Sequence, residues 1–419
     1  MTRVTSGTAL FLGAVRPADY RPLRQMGYEI ALLRDNNCPV PAPDPNDVGF
    51  VASVDFSTSQ PDELIQVLAG WRERTILLTT IETSVHDHAR LTQKYGYPGP
   101  TPEAASIALD KFRMRERFAR KLPPANTVQF AEINNLDELR TFANRVEFPI
   151  VLKPANLFGS MFVSLCRDEH ALVEAYQRDC PEVRRLLDKL GKTKTPAKMQ
   201  AEEFITGRCV SVDVVVSRDG TPYCSPIVDI WTNMDFDQVG FAHIARLVPS
   251  SLSTEQQGEA FALAESSVRA IGLANCIAHV EIVVGDNGPK LLEVAARVGG
   301  GRNALMERAF GISLIEQYAR VLEGHDPEIV HVLSNSVAVI SPFPLKAGNY
   351  LGSPGIERVK RNCAGLEAVN VRAKVGERVG PAHEGFLPPS SITLTSEARF
   401  ELETTVRSIL SDQDFYSVG

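Results

Sequence analysis

Residues 279–301 read HVEIVVGDNGPKLLEVAARVGGG, and few folds accommodate that stretch. Two apolar runs, 276–284 and 289–294, flank Asp286-Asn287-Gly288. This is the pattern of two strands joined by a tight turn, with glycine supplying the left-handed residue of a three-residue loop. With 286–288 as the loop, Gly285 faces Pro289, and counting back sets Glu281 opposite Glu293. Directly opposed side chains have Cβ atoms about 4.5–5.5 Å apart. Two carboxylates that close inside apolar strands repel each other and are costly to bury. A salt-bridged strand pair is the bland explanation. A hard divalent cation, which takes carboxylate and substrate phosphate oxygens together, explains both glutamates better. Strand alternation carries Arg297 toward the same place. The stretch therefore predicts a Mg²⁺–phosphate site at Glu281 and Glu293 with an arginine beside it.

The chain around it is long, at 419 residues, so two to four domains or subdomains are expected. Charged residues make up 23% and the net charge is −7 with both signs mixed, which leaves no nucleic-acid footprint. No apolar run reaches the ~18 residues of a membrane span. Seven cysteines without paired spacing predict free thiols in a reducing cytoplasm.

Taken in order, residues 8–35 read strand, helix, strand, with Gly13 and Gly27 closing the first two. The turn after the first strand, GAVRPAD, lacks the dinucleotide glycine fingerprint, so NAD is not expected. Residues 36–47 are a proline-rich loop; 48–54 and 75–79 are further strands, with a helix over 61–74. Alternating elements predict a small, mostly parallel α/β unit ending near the linker 95–102. Asp110 is placed to cap a helix whose basic residues Lys111, Arg115 and Arg117 read first as a solvated face. An apolar strand, 148–154, ends in Lys153-Pro154 and runs into a loop with Gly159-Ser160, a pattern that suits phosphate. A helix over 168–190 is expected to break at Pro181. Residues 231–246 form an irregular mouth holding Trp231, Phe236, Phe241, His243 and Arg246. Gly299-Gly300-Gly301 precedes Arg302, where a helix start would attract a carboxylate or phosphate. Short strands and a last helix near 401–410 fill residues 331–419.

Glu281, Glu293 and the run Val294-Ala295-Ala296-Arg297 resemble the metal-binding stretch of the ATP-grasp superfamily, and EVAAR followed by three glycines resembles its amino-acid ligase branch. The resemblance implies an ATP-grasp fold of α/β (α+β) class. Its parts would be an N-terminal Rossmann-like domain over 1–100, an ATP-grasp domain over 101–330 (subdomains 101–198 and 199–330) and a C-terminal ligase subdomain over 331–419. Lys111, Lys153, Gly159 and Ser160 would hold the ATP phosphates. Glu202, Glu203, Phe204 and Ile205 would form the adenine hinge, and Glu281 and Glu293 would hold Mg²⁺. Arg297 would stabilise an acyl phosphate, with Gly300, Gly301, Arg302 and His243 on the substrate side. Two family positions differ: Ala295 stands where asparagine is usual, and Cys209 where the ribose-binding acid is usual. The implied reaction joins a small carboxylate to an amine, both amino acids or derivatives, with release of ADP and phosphate, as in peptide-antibiotic synthesis. Alternatives are an ATP-grasp enzyme of purine or carboxylation metabolism and an ATP-binding protein without chemistry. A homodimer is compatible with the resemblance.

Overall fold

The computed structural model describes residues 7–35, 52–56, 75–155, 162–189 and 197–419. The expected loop at 36–47, the helix at 61–74 and the Gly159-Ser160 turn lie outside these residues. Strands β1 (Gly7–Gly13), β2 (Tyr28–Asp35), β3 (Ala52–Phe56) and β4 (Thr75–Leu78) form a parallel sheet in the order β3–β2–β1–β4. Apolar side chains on both faces of β1, such as Leu10 and Phe11, are buried, as parallel strands covered by helices require. The helix Pro17–Gln25 begins with proline in its first turn. Gly27 (φ +96°) follows it in the left-handed region.

A second sheet is antiparallel. It pairs β5 (Phe130–Ile133), β6 (Ile150–Pro154), β7 (Ser164–Cys166) and β8 (Met199–Glu203) in the order β5–β8–β6–β7. Helices Leu136–Ala143 and Glu169–Lys189 cover one face of it. The expected break at Pro181 does not occur. Leu172 and Ala175 before it, and Val183 and Leu187 after it, are buried in one core, and that packing outweighs the one backbone donor proline lacks.

The largest sheet carries β9 (Arg208–Val216), β10 (Pro222–Cys224), β11 (Val228–Thr232), β12 (His243–Val248), β13 (Cys276–Gly285) and β14 (Gly288–Ala295). It continues through β15 (Ser336–Ile340), past a small sheet containing β16 (Gly348–Gly352), to β17 (Leu366–Val371). Beyond β18 (Arg378–Val379), β19 (Ser390–Ser396) completes it in the order β14–β13–β9–β11–β12–β15–β19–β17. The C-terminal segment thus extends the central sheet. Strand β12 is the seam: Val248 belongs to the main core, while Ile244, Ala245 and Leu247 pack in the C-terminal one.

Glu281 and Glu293 do pair, though by a different route from the one expected. The turn has two residues, Asp286-Asn287, with Gly285 opposite Gly288 (φ +88°) and Val284 opposite Pro289. That register alone would misalign the glutamates. An irregularity beside Glu281 leaves Leu292 without a partner and restores Glu281 to Glu293.

Candidate active site

The bulge at Leu292 is held by a residue that the sequence pattern placed on a solvated face. Arg115 is 2% exposed. Its Nη1 donates to the Leu291 carbonyl at 2.6 Å and its Nη2 to the Leu292 carbonyl at 2.8 Å. The same guanidinium grips Glu202 through Nε at 2.7 Å and Nη2 at 3.0 Å. Glu202 also accepts from Lys153 Nζ at 2.7 Å and Gln200 Nε2 at 2.5 Å. Glu202 is therefore committed to the protein, and as an adenine- or ribose-binding side chain it is displaced by this buried cluster. Burial alone would raise its carboxyl, but Arg115 and Lys153 bring it down to about 2. Lys153 is only half compensated, since Glu202 serves two cations: burial lowers its ammonium, and Arg115 and Lys111 lower it further against the pull of Glu202. An incoming anion would supply what Glu202 does not.

Lys111 opens the helix Lys111–Lys121, which Asp110 caps by accepting from Phe112 N and Arg113 N. Its Nζ sits 3.1 Å from Glu293 Oε1. Burial pulls its ammonium down, and Glu293, Glu82 and Glu281 more than reverse that. The backbone N–H of Lys111 donates to the Ala155 carbonyl just past Lys153-Pro154, tying the two lysine-bearing segments together.

Behind Glu281 lies a network that sequence reasoning missed. His279 Nε2 is 3.2 Å from Glu281 Oε1, and its Nδ1 is 3.3 Å from Asp213 Oδ1. Both ring nitrogens face carboxylates, an arrangement that favours the imidazolium form, in which both donate. Burial opposes this, and Asp213 and Glu281 hold the imidazole above its ordinary value. Asp213, fully buried, also accepts from Gly299 N at 2.7 Å. A Cβ on Gly299 would stand 2.5 Å from both His279 Nδ1 and Arg302 Cγ, so this glycine is there for close packing. Burial pushes the Glu281 carboxyl up, but His243, His279 and Arg302 hold it well below its usual range. Period-two alternation along β9 and β13 was the available signal: Ser211 and Asp213 share the face of His279 and Glu281.

Arg297 reaches the site as expected, and its partner comes from the first sheet. Its Nε lies 2.6 Å from Glu82 Oε2, just beyond the carboxyl end of β4. Burial lowers its guanidinium, and Glu82, Glu293 and Glu281 together raise it. Arg302, expected to meet substrate, is instead buried at 1% exposure, with Nε 3.1 Å from Ser211 Oγ. Gly300 and Gly301 are exposed. His243 is half-buried with Nε2 3.8 Å from Glu281 Oε1, and burial lowers it to about 4. Trp231 turns away: it packs on Phe236 and lies under the Arg407 guanidinium at 4.3 Å, in the C-terminal core.

A protein-family model described as the ATP-grasp domain matches residues 146–304, which include Lys153, Glu281, Glu293 and Arg297. The chain carries an ATP-grasp domain. It is 25% identical over 257 residues to the alanine–anticapsin ligase of Bacillus subtilis (strain 168), covering 59% of this chain and 53% of that protein. It is 23% identical over 337 residues to dapdiamide A synthase of Enterobacter agglomerans, covering 76% and 74%. The chain spans about half the length of the first of these relatives. The crystal structure of an L-amino acid ligase from Bacillus licheniformis superposes with TM-score 0.83 at 18% identity over 99% of both chains, so the two share their fold.

The segment expected as the adenine hinge lies at the end of β8. Glu203 receives Lys290 and its backbone N–H donates to Gln129 O at 3.0 Å. Phe204 donates to Pro149 O at 3.3 Å and packs 6.4 Å from Phe241. Ile205 is half-buried beside them. Among the described residues no cluster of three or more His, Cys, Asp or Glu has metal-site geometry. Glu281 and Glu293 are a pair of facing carboxylates, and a cation there would complete its shell with phosphate oxygens. That donor set fits Mg²⁺. No helix of the described residues is long and apolar enough to cross a membrane.

Proposed function

We propose that this protein is an ATP-dependent carboxylate–amine ligase that forms an amide through an acyl phosphate and releases ADP and phosphate. The observation that carries the reading is the convergence of Lys111, Arg297 and the Glu281–Glu293 pair on one edge of the hairpin, with Lys153 on the adjoining sheet. Phosphoryl transfer asks a protein for charge neutralisation and alignment more than for covalent help. Lys111 and Lys153 are placed to hold phosphate oxygens. Arg297 faces the charge that develops as a substrate carboxylate oxygen attacks the γ-phosphorus and the bond to ADP breaks. The amine nitrogen then attacks the acyl carbon, loses a proton, and inorganic phosphate leaves. Mg²⁺, held by Glu281 and Glu293, would neutralise phosphate charge. Asp213 and His279 fix the Glu281 carboxylate, and Arg115 fixes the bulge that aligns Glu293 with it. Amino acids or acylated amino acids are the substrates we favour, from the names of the relatives. The domain division at about residues 100 and 330 and a cytoplasmic location, suggested by unpaired cysteine spacing, belong to the same reading.

The test is ADP and phosphate release with ATP, Mg²⁺ and pools of amino acids. ADP that requires both a carboxylate and an amine, with an amide detected by mass, supports the ligase. AMP and pyrophosphate would overturn the acyl phosphate. Tight ATP binding without any turnover would favour a nucleotide-binding protein. In the same assay Glu82→Gln should lower kcat by about 10- to 100-fold, because Arg297 loses the carboxylate that aims it. The KM for ATP should stay near its starting value; a rise in KM alone would mean that Glu82 serves nucleotide binding.

A further inference from the structure

Most cations around the ATP-grasp site are matched by a carboxylate. Lys111, Arg115, Lys153, Lys290, Arg297 and Arg302 each have a carboxylate within 4.0 Å. The Arg246 side chain is the exception: it has no hydrogen bond or ion pair among the described residues, while its backbone is paired on both sides in the sheet. Its place is set by register. Cys209, Ile230, Arg246, Val339 and Thr393 form one cross-strand row, and Cys209 shares the face of Ser211 and Glu281. Arg246 therefore projects from the same face as the metal-site glutamate, farther along the sheet toward the C-terminal strands. The pairing of β12 with β11 skips Ile244, and this irregularity brings His243 onto that face as well. The row stays half-buried at Val339 and Thr393, where the opposite face, at Ile392 and Leu394, is sealed in the core. At its rim Arg372 donates to the Pro388 carbonyl and Ser391 Oγ, both neutral acceptors. Burial holds the Arg246 guanidinium down to about 9, and Arg302 and Arg372 push it the same way while Glu281 opposes. A half-buried guanidinium that feels two others and has no carboxylate in contact costs stability.

We infer that Arg246, with Arg372 at the rim, is a subsite for a substrate carboxylate other than the one that is activated. The proposal rests on the ligase reading and narrows it: one of the two substrates carries an additional acid group. Guanidinium suits it, because its fork binds a planar carboxylate through two donors at once. The extra acid group belongs either to the activated acid, as a dicarboxylate, or to the amine, as its own α-carboxylate.

The experiment compares butyrate with succinate and alanine with aspartate as acids, each with glycinamide or glycine as amine, in wild type, Arg246→Gln, Arg246→Lys and Arg372→Gln. ADP release gives kcat/KM, and calorimetry gives succinate and glycine affinity in the presence of Mg²⁺ and ADP. We expect one substrate position to prefer the extra carboxylate by about 10- to 100-fold, and Arg246→Gln to erase that preference. Arg246→Lys should restore part of it, and Arg372→Gln should weaken it less. A preference seen with glycinamide assigns the group to the acid; a glycine-over-glycinamide preference with every acid assigns it to the amine. The Tm of Arg246→Gln without ligand should equal or exceed that of wild type, since it removes an unmatched charge. Turnover indifferent to the extra carboxylate, or a preference that survives Arg246→Gln, overturns the subsite and leaves the ligase standing. No ADP with any pair, while succinate or glycine binding still depends on Arg246, overturns the ligase and leaves the subsite.

Discussion

Glu293→Gln should lower turnover by about 10³-fold or more while the fold survives, because one of the two facing carboxylates that we propose hold Mg²⁺ loses its charge. The fold should survive for a local reason. Glu293 lies on β14 near the surface, with its side chain 27% exposed, and among the described residues its ion pair is with Lys111. Glutamine keeps the volume and can still accept from Lys111 Nζ. Thermal unfolding should therefore shift little, while ADP release falls and the Mg²⁺ concentration for half-maximal rate rises. Glu281→Gln should behave differently. Glu281 also holds His279 at 3.2 Å, and His279 holds the fully buried Asp213. Neutralising Glu281 removes one reason for the imidazolium to exist, so that variant should lose stability together with rate. Normal turnover by Glu293→Gln would show that the facing pair is structural and that the cation binds elsewhere.

The hairpin shows how the sequence could be right in its conclusion and wrong in its geometry. Alternation and the Asp-Asn-Gly turn were enough to set Glu281 against Glu293, since period-two patterning is strong over an apolar strand. The turn is one residue shorter than the sequence predicts, and the glutamates still align only because Leu292 bulges. Nothing local marks that bulge. Its cause is Arg115, 177 residues before Leu292, whose guanidinium takes up the two carbonyls the bulge exposes. Glu202 was hidden in the same way. In sequence it stands beside Glu203 in the segment expected as the adenine hinge; in the fold it points into the core and Glu203 points out. Arg297 was legible because it follows the hairpin directly. Its partner Glu82 was not, because the first sheet meets the hairpin only in three dimensions. Local periodicity thus identified the elements and the residues that carry charge, while long-range packing decided which of those charges face a ligand and which face each other.

That division is sharpest at Arg115, and Arg115→Met should be the most destabilising single change in the molecule outside the apolar cores. Methionine keeps much of the buried stem but removes the guanidinium from four acceptors: both Glu202 oxygens and the carbonyls of Leu291 and Leu292. Breaking a buried pair from one side leaves the other charge uncompensated, a loss of about 3–5 kcal/mol. Lys153 and Gln200 remain on Glu202, which argues for the lower part of that range; the two stranded carbonyls argue for the upper part. Urea unfolding followed by circular dichroism measures it, and a loss below about 1 kcal/mol would mean that water replaces the guanidinium at the bulge. The pH dependence separates the carboxylate from the carbonyls. In the wild type the Glu202 carboxyl is held at about 2 against 4.5 unfolded. A depressed carboxyl contributes stability that is fully present above the unfolded value and is lost as pH falls through the folded one. Glu202 should therefore supply roughly 3 kcal/mol at neutral pH, all of it gone once the pH has dropped from about 4.5 to below about 2. Without Arg115 the folded carboxyl rises, so the window narrows from its acid end and stability in Arg115→Met should change less over the same pH range. The carbonyl contribution does not titrate. The difference between the two proteins that persists below pH 2 is the part of the loss that belongs to the Leu292 bulge.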